Sequence, residues 1–196
     1  MKIIAFCGVD GAGKSTQIQQ VKYELEKKGK KVFVSKVNYY PFHRYLNHEV
    51  TQYEIRINMA FTFVQHYLEL VEELSGKAYD FLLCDRYSLC HLAFAMTYGV
   101  ENEKIKKLIA IYNIAYKPDL ILYFDIPLNV SIKRIYARLE KEADTDETPE
   151  ILGETIKNYE KLIMEDIFDK VVRIDATLSK EQQTNQIMKT IMESDE

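Results

Sequence analysis

The chain has 196 residues, 47% of them hydrophobic and 29% charged, with a formal net charge of −4 at pH 7. That length suits one domain with a full core, and the composition and mild acidity of a soluble globular protein argue against a nucleic-acid polymer or a membrane as partner. Cys7, Cys84 and Cys90 lack metal-ligand spacing and two lie in apolar runs, so they read as buried reduced thiols and point to a cytoplasmic location.

The first apolar run, Ile3 to Cys7, reads as a strand that is too short for a membrane span and lacks a small-residue cleavage site. It leads into Gly8-Val9-Asp10-Gly11-Ala12-Gly13-Lys14-Ser15, which fits G-x-x-x-x-G-K-[ST], and then into the helical pattern that begins at Thr16 and runs to about Lys28. Gly29 is placed to cap that helix, and Val32 to Val34 forms a second strand, so the first unit is βαβ. Asn38 to Tyr45 is aromatic and basic without clean periodicity; it is a loop that either packs on the surface or lines a substrate pocket.

From Tyr53 to Leu74 the spacing is helical, with one apolar stripe at Ile57, Phe61, Val64, Leu68 and Val71 and another at Met59, Phe63, Tyr67, Leu70 and Leu74. A helix apolar on two sides needs two partners, the sheet on one side and a helix, a ligand or a second subunit on the other; a homodimer is the expectation. His66 on this helix reads as a packed or pocket-lining histidine. Gly76 breaks the helix, and Tyr79 to Cys84 is a continuous apolar strand of the kind buried on both faces of a parallel sheet.

Asp85-Arg86-Tyr87 follows that strand, and helical patterns then run from Leu89 to Tyr98 and from Glu101 to Tyr116. A fourth strand spans Leu120 to Phe124, and Pro127 is expected at the first position of the next helix, which carries Lys133, Arg134 and Arg138. The charged stretch from Glu140 to Glu147 has few apolar anchors, so a mobile lid is expected around residues 139–150. Thr148-Pro149 restarts a helix, Val171 to Ile174 is a fifth strand, and Ser179 with Gln182 makes a capping box for the last helix. Strands alternating with helices give a single α/β domain over residues 1–196, a five-stranded parallel sheet covered on both faces that binds ligands beyond the carboxyl ends of its strands; with the glycine loop after the first strand, it resembles the three-layer P-loop NTPase fold.

The chemistry follows from the loop. Glycines let backbone N–H groups from Gly8 to Thr16 turn around a phosphate, the new helix directs its positive end there, Lys14 adds a mobile charge, and Ser15 offers a hydroxyl to magnesium. Asp85, at the end of a buried strand, is the acidic partner that holds magnesium or its waters opposite Ser15, and Arg86 faces the phosphates. Arg134 and Arg138 share a helical face and either close over the phosphates or pair with Glu140 and Glu142 in solvent. Asp10, a carboxylate beside phosphates, needs a partner of its own, either an acceptor hydroxyl or a cation such as Arg86 or Lys14.

The loop with its acidic residue, Asp85-Arg86-Tyr87, the run Lys117 to Pro127 followed by Arg134, and Ile174-Asp175-Ala176 together resemble the thymidylate kinase family of nucleoside monophosphate kinases. The resemblance implies strand order 2-3-1-4-5, ATP as donor with Mg2+, adenine near Ala176, Arg86 on the acceptor phosphate and a homodimer. It also implies an acceptor site that includes Asp10, Tyr39, Met59, Phe63, Arg86 and Tyr87. The chain departs from the pattern in three places. Lys36 to Pro41 stands where the family has Arg-Glu-Pro-Gly, Phe63 and Met59 stand where it has a base-contacting Arg and a base-stacking Phe, and the lid region from Leu139 to Asn158 carries only Lys141 and Lys157 as basic residues. The reading is a kinase of dTMP or a related pyrimidine nucleoside monophosphate; a deoxynucleoside kinase and a nucleotide-binding regulator without transfer activity are the alternatives.

Overall fold

Five short strands with apolar centres pair in parallel in the order β2-β3-β1-β4-β5. They are β1 (Lys2–Cys7), β2 (Val32–Lys36), β3 (Phe81–Asp85), β4 (Leu120–Asp125) and β5 (Val171–Asp175). The computed structural model describes residues 1–36, 66, 68–101, 103–104, 107, 117–138 and 148–193. The helices are α1 (Lys14–Lys27), α2 over residues 68–74, α3 (Ser88–Thr97), α4 (Leu128–Arg138), α5 (Pro149–Met164) and α6 (Lys180–Glu193). α1 packs with α6, whereas α5 packs with α3 and α4, and right-handed crossovers put these two groups on opposite faces of the sheet.

Burial follows the apolar patterns. All five residues of β3 are buried, as are Ile3 to Cys7 of β1, because both strands lie inside the sheet with helices above and below. Phe6 and Phe124 are fully buried and stack at 5.9 Å between ring centroids, so neighbouring strands share one core directly under the loop that follows β1. Cys7, Cys84 and Cys90 are free and buried, as expected.

Local signals set the element ends. Gly29, at φ 77°, lets its own N–H reach Glu26 O at 2.8 Å and that of Lys30 reach Leu25 O at 3.1 Å, which closes α1. Thr148 caps α5 through Ile151 N, and Ser179 and Gln182 exchange the two bonds of a capping box at 3.0 and 3.2 Å. Two boundaries are corrected. Pro127 lies one position earlier than expected, with its carbonyl accepting from Ser131 N at 3.0 Å, so it caps α4 instead of occupying its first turn. Tyr79 and Asp80 stay outside β3 because the Asp80 carboxylate takes the Lys31 N–H at 2.7 Å, turning the chain before pairing begins.

Of the long helix expected from Tyr53, residues 66 and 68–74 are described and are helical; Leu70 is buried against the core, whereas Leu68 and Val71 are exposed. The expected loop at Asn38 to Tyr45, most of the helix at Glu101 to Tyr116, and the lid apart from its last residues lie outside the described residues, as do Tyr39, Met59 and Phe63. Among the described residues no helix is long and apolar enough to cross a membrane.

His91 in α3 is buried, and burial, with the nearby His66 and Arg86, pushes its imidazole down to about 3. The folded state therefore holds a neutral ring where the unfolded chain, with an ordinary pKa of about 6.5, takes a proton. This contribution is fully present above pH ~6.5 and is lost as the pH falls toward 3, amounting to about 2 kcal/mol at pH 5. Urea unfolding at pH 7 and pH 5 should show the wild type losing about 2 kcal/mol more than His91→Gln over that interval.

Candidate active site

Strand register assembles the site. β1 pairs Phe6 with Asp85, β2 pairs Lys36 with the same Asp85, and β4 pairs Asp125 with Asp175, so the carboxyl ends of the strands finish along one edge. The glycine loop rises from the end of β1 at that edge. Gly8 has φ 143°, and a Cβ there would lie 2.9 Å from Phe124 O; Gly11 has φ 76°, and a Cβ there would lie 2.7 Å from Ser131 O. Both positions combine a backbone that L side chains resist with no room for one. Ser131 fastens the loop from α4, its hydroxyl donating to Asp10 O at 2.7 Å, and Arg134 donates to Gly11 O at 3.3 Å one turn further on.

The loop brings the predicted residues together. Lys14, only 5% exposed at the start of α1, donates from Nζ to Val9 O at 2.8 Å. Burial and the charge of Arg86 push its ammonium pKa down, and Asp10 pulls part of that back. Ser15 Oγ donates to Asp85 Oδ2 at 2.8 Å, bringing together a hydroxyl and a carboxylate that come from residues 70 positions apart. Arg86 Nη2 meets Asp10 Oδ1 at 2.5 Å, and its Nη1 reaches Gly8 O at 3.5 Å. Burial by itself raises the Asp10 carboxyl, but the Arg86 and Lys14 charges more than cancel it, so Asp10 sits below the usual carboxylate range and is ionised at neutral pH. The expected partner of Asp10 is thus the cation across the loop.

Arg86 is held in the left-handed region at φ 74°, with its N–H on Phe6 O at 3.1 Å and its guanidinium 5.4 Å above the Phe94 ring. A non-glycine residue in that conformation costs about 1–3 kcal/mol and persists where its surroundings fix it. Tyr87 is buried immediately after it, edge-on to His66 at 6.4 Å between centroids. His66 meets Ser35 Oγ at 2.5 Å and, with Ser35 and Lys36, lines a cavity of about 340 Å³ beside the end of β2.

On the opposite side a second cavity, of about 360 Å³, lies between the loop, α4 and the start of α6, lined in part by Gly11, Thr16, Arg134, Arg138, Leu178 and Gln183. Arg134 Nη2 donates to Ala176 O at 2.9 Å, so this guanidinium ties the glycine loop to the turn after β5. Arg138 lies on the same cavity one helical turn away. Ala176 itself is fully buried.

Ser131, Gln17 and Gln183 belong to this framework and were not singled out in the sequence. Each is a polar residue at a buried helix position: Ser131 shares its face with Ile135, and Gln183 lies on a stripe with Ile187 and Ile191. A polar residue on an otherwise apolar stripe is the signal that could have found them.

A family model for thymidylate kinase matches residues 6–187. The chain is 32% identical over 194 residues to a thymidylate kinase of Thermosipho africanus, with 90% of each chain covered. It is 28% identical to a probable thymidylate kinase of Methanosphaera stadtmanae with 94% of each chain covered, and 28% identical to probable thymidylate kinase 1 of Saccharolobus solfataricus with 98% of each covered.

Gly11→Ala should push a methyl group into Ser131 O and lose the left-handed turn, destabilising the fold by about 2–4 kcal/mol. Denaturant unfolding reads that loss, and nucleotide titration should show affinity reduced at least tenfold.

Proposed function

The chain belongs to the thymidylate kinase family, and on that premise we propose that it transfers the γ-phosphate of ATP to dTMP or a related pyrimidine nucleoside monophosphate. The observation that carries this is the convergence of Ser15 and Asp85 at the mouth of a glycine loop, with Arg86 held across it by Asp10. Transfer forms a bond between an acceptor phosphate oxygen and Pγ as the bond from Pγ to the β,γ-bridging oxygen breaks, and ADP leaves. Such a reaction asks for alignment and charge neutralisation more than for a protein nucleophile.

In this reading the N–H groups of the loop from Gly8 to Thr16 cradle the donor phosphates, and Lys14 exchanges Val9 O for their oxygens. Arg86 holds the acceptor phosphate, with Asp10 fixing its orientation, and Tyr87, Tyr39, Met59 and Phe63 contribute to the acceptor side. Arg138 offers charge to the transferring group, while Arg134 and Ala176 frame the donor base. Ser15 and Asp85 suit Mg2+, being one hydroxyl and one carboxylate in contact, and among the described residues no group of three or more acidic, His or Cys side chains gathers to hold a metal without help from a substrate. Bound there, the ion would neutralise charge on the β- and γ-phosphate oxygens.

Leu68 and Val71 on α2 are exposed beside the buried Leu70, which supports pairing of two copies through this face. Three buried free thiols suit a reducing compartment such as the cytoplasm. Family membership does not favour the alternatives of a deoxynucleoside kinase or a transfer-dead regulator.

A screen of ribo- and deoxynucleoside monophosphates, with thymidine beside dTMP, should give turnover on a pyrimidine monophosphate and none on thymidine; ATP binding without transfer to any acceptor would overturn the reading. Lys14→Ala should lower kcat by two or more orders of magnitude, since charge stabilisation of several kcal/mol is removed. Leu68→Asp should convert a dimer to a monomer in sedimentation at micromolar concentration, and a wild type that is already monomeric there removes the dimer.

A further inference from the structure

The cavity between the glycine loop and α6 holds two glutamines in different states. Gln17, 1% exposed, uses both ends of its amide: Nε2 donates to Lys180 O at 2.9 Å, and Oε1 accepts from the Thr184 hydroxyl at 2.8 Å. Gln183, 4% exposed, donates from Nε2 to Leu178 O at 2.8 Å and to Ala176 O at 3.3 Å, which spends both amide protons. Turning the amide over would set Oε1 against two carbonyl oxygens, so its orientation is fixed by the turn after β5. Oε1 is left with no hydrogen-bond partner among the described residues, on a side chain that lines the cavity.

Gln183 is also a polar residue on an otherwise apolar stripe. It precedes Ile187 and Ile191, both fully buried, on the face of α6 that packs inward. The residue as a whole is 4% exposed, and its Oε1 is not sealed off from the cavity that the side chain lines. The residues around the oxygen do not hydrogen-bond it, and the cavity it borders also touches Gly11 and Gly13 of the phosphate loop.

We propose that Gln183 Oε1 is the acceptor that reads the donor's base, selecting one that presents an exocyclic N–H, as the 6-amino group of adenine does, over a purine that presents a carbonyl or a hydrogen there. This rests on the reading of the cavity as the nucleoside site of the phosphate donor. Carbonyl oxygens that might otherwise read that group are engaged within the protein: Ala176 O by Arg134 and Gln183, Leu178 O by Gln183, and Lys180 O by Gln17. A 6-oxo purine would bring its oxygen against Oε1, and a purine without a 6-substituent would leave Oε1 unpaired.

Calorimetric titration of the full chain with ADP, IDP and the diphosphate of purine riboside tests this without turnover. In the wild type, ADP should bind roughly five- to tenfold more tightly than the purine riboside diphosphate, the worth of one neutral hydrogen bond, and at least tenfold more tightly than IDP. In Gln183→Leu both gaps should shrink to less than about twofold, because ADP loses a bond and IDP loses a repulsion between two acceptors. A Gln183 that only holds the turn would weaken all three ligands together and leave the ratios intact, and that result overturns the inference. If the variant fails to fold, the wild-type comparison of ADP with the purine riboside diphosphate decides alone: equal affinities refute it. The two readings fail differently, since no binding of any of these nucleotides removes the donor site, whereas tight binding that ignores the 6-position removes only the role of Gln183.

Discussion

Parallel pairing of β1 with β3 is the constraint on which the rest depends. One strand ends in the glycine loop and the other in Asp85 and Arg86, and pairing Phe6 with Asp85 sets those two ends side by side. In a parallel sheet all strands finish at the same edge, so residues 70 positions apart arrive within hydrogen-bond distance without any loop having to be shaped for it. A one-residue slip would turn Asp85 to the opposite face of the sheet and part it from Ser15. The fully buried side chains of Leu82, Leu83, Ile4 and Phe6, wedged between two helical layers, resist such a slip.

Much of this was legible in the sequence because it depends on short-range rules. The glycine loop, the cap at Gly29, the capping box at Ser179 and the apolar runs of β1, β3 and β4 each state their own conformation, and the alternation of strand and helix leaves few topologies to consider. Boundaries failed where a side chain took over a backbone task, as Asp80 does for Lys31 at the start of β3. The pairing of Asp10 with Arg86 was readable as a need, since a carboxylate in a phosphate loop must be neutralised, but only the fold could choose between the two candidate cations.

What was not legible is the scaffold that holds the loop. Ser131 and Arg134 touch it through backbone oxygens, Asp10 O and Gly11 O, and a backbone acceptor leaves no mark in a sequence. Arg134 illustrates the difficulty: basic and one turn from Arg138, it reads as a residue for phosphates, yet two of its N–H groups bind carbonyls at Gly11 and Ala176. Through them it joins the glycine loop to the turn that follows β5, so the two sides of the cavity between them are set by one rigid planar group.

The same economy governs the charges. Three polar groups at the glycine loop have internal partners: Lys14 has Val9 O, Ser15 has Asp85, and Arg86 has Asp10. Burying Lys14 without such a contact would cost several kcal/mol, and the contact chosen is the weakest that suffices, a neutral carbonyl that a phosphate oxygen can displace with gain in charge attraction. The Asp10 to Arg86 pair is different in kind. Both ends are ionised, the geometry is close and the backbone of Arg86 is fixed at positive φ, so this contact holds the guanidinium against the loop. A carboxylate inside a phosphate loop thus holds the second cation in place. It lowers the net positive charge around the loop, and it fixes the orientation of the arginine fork.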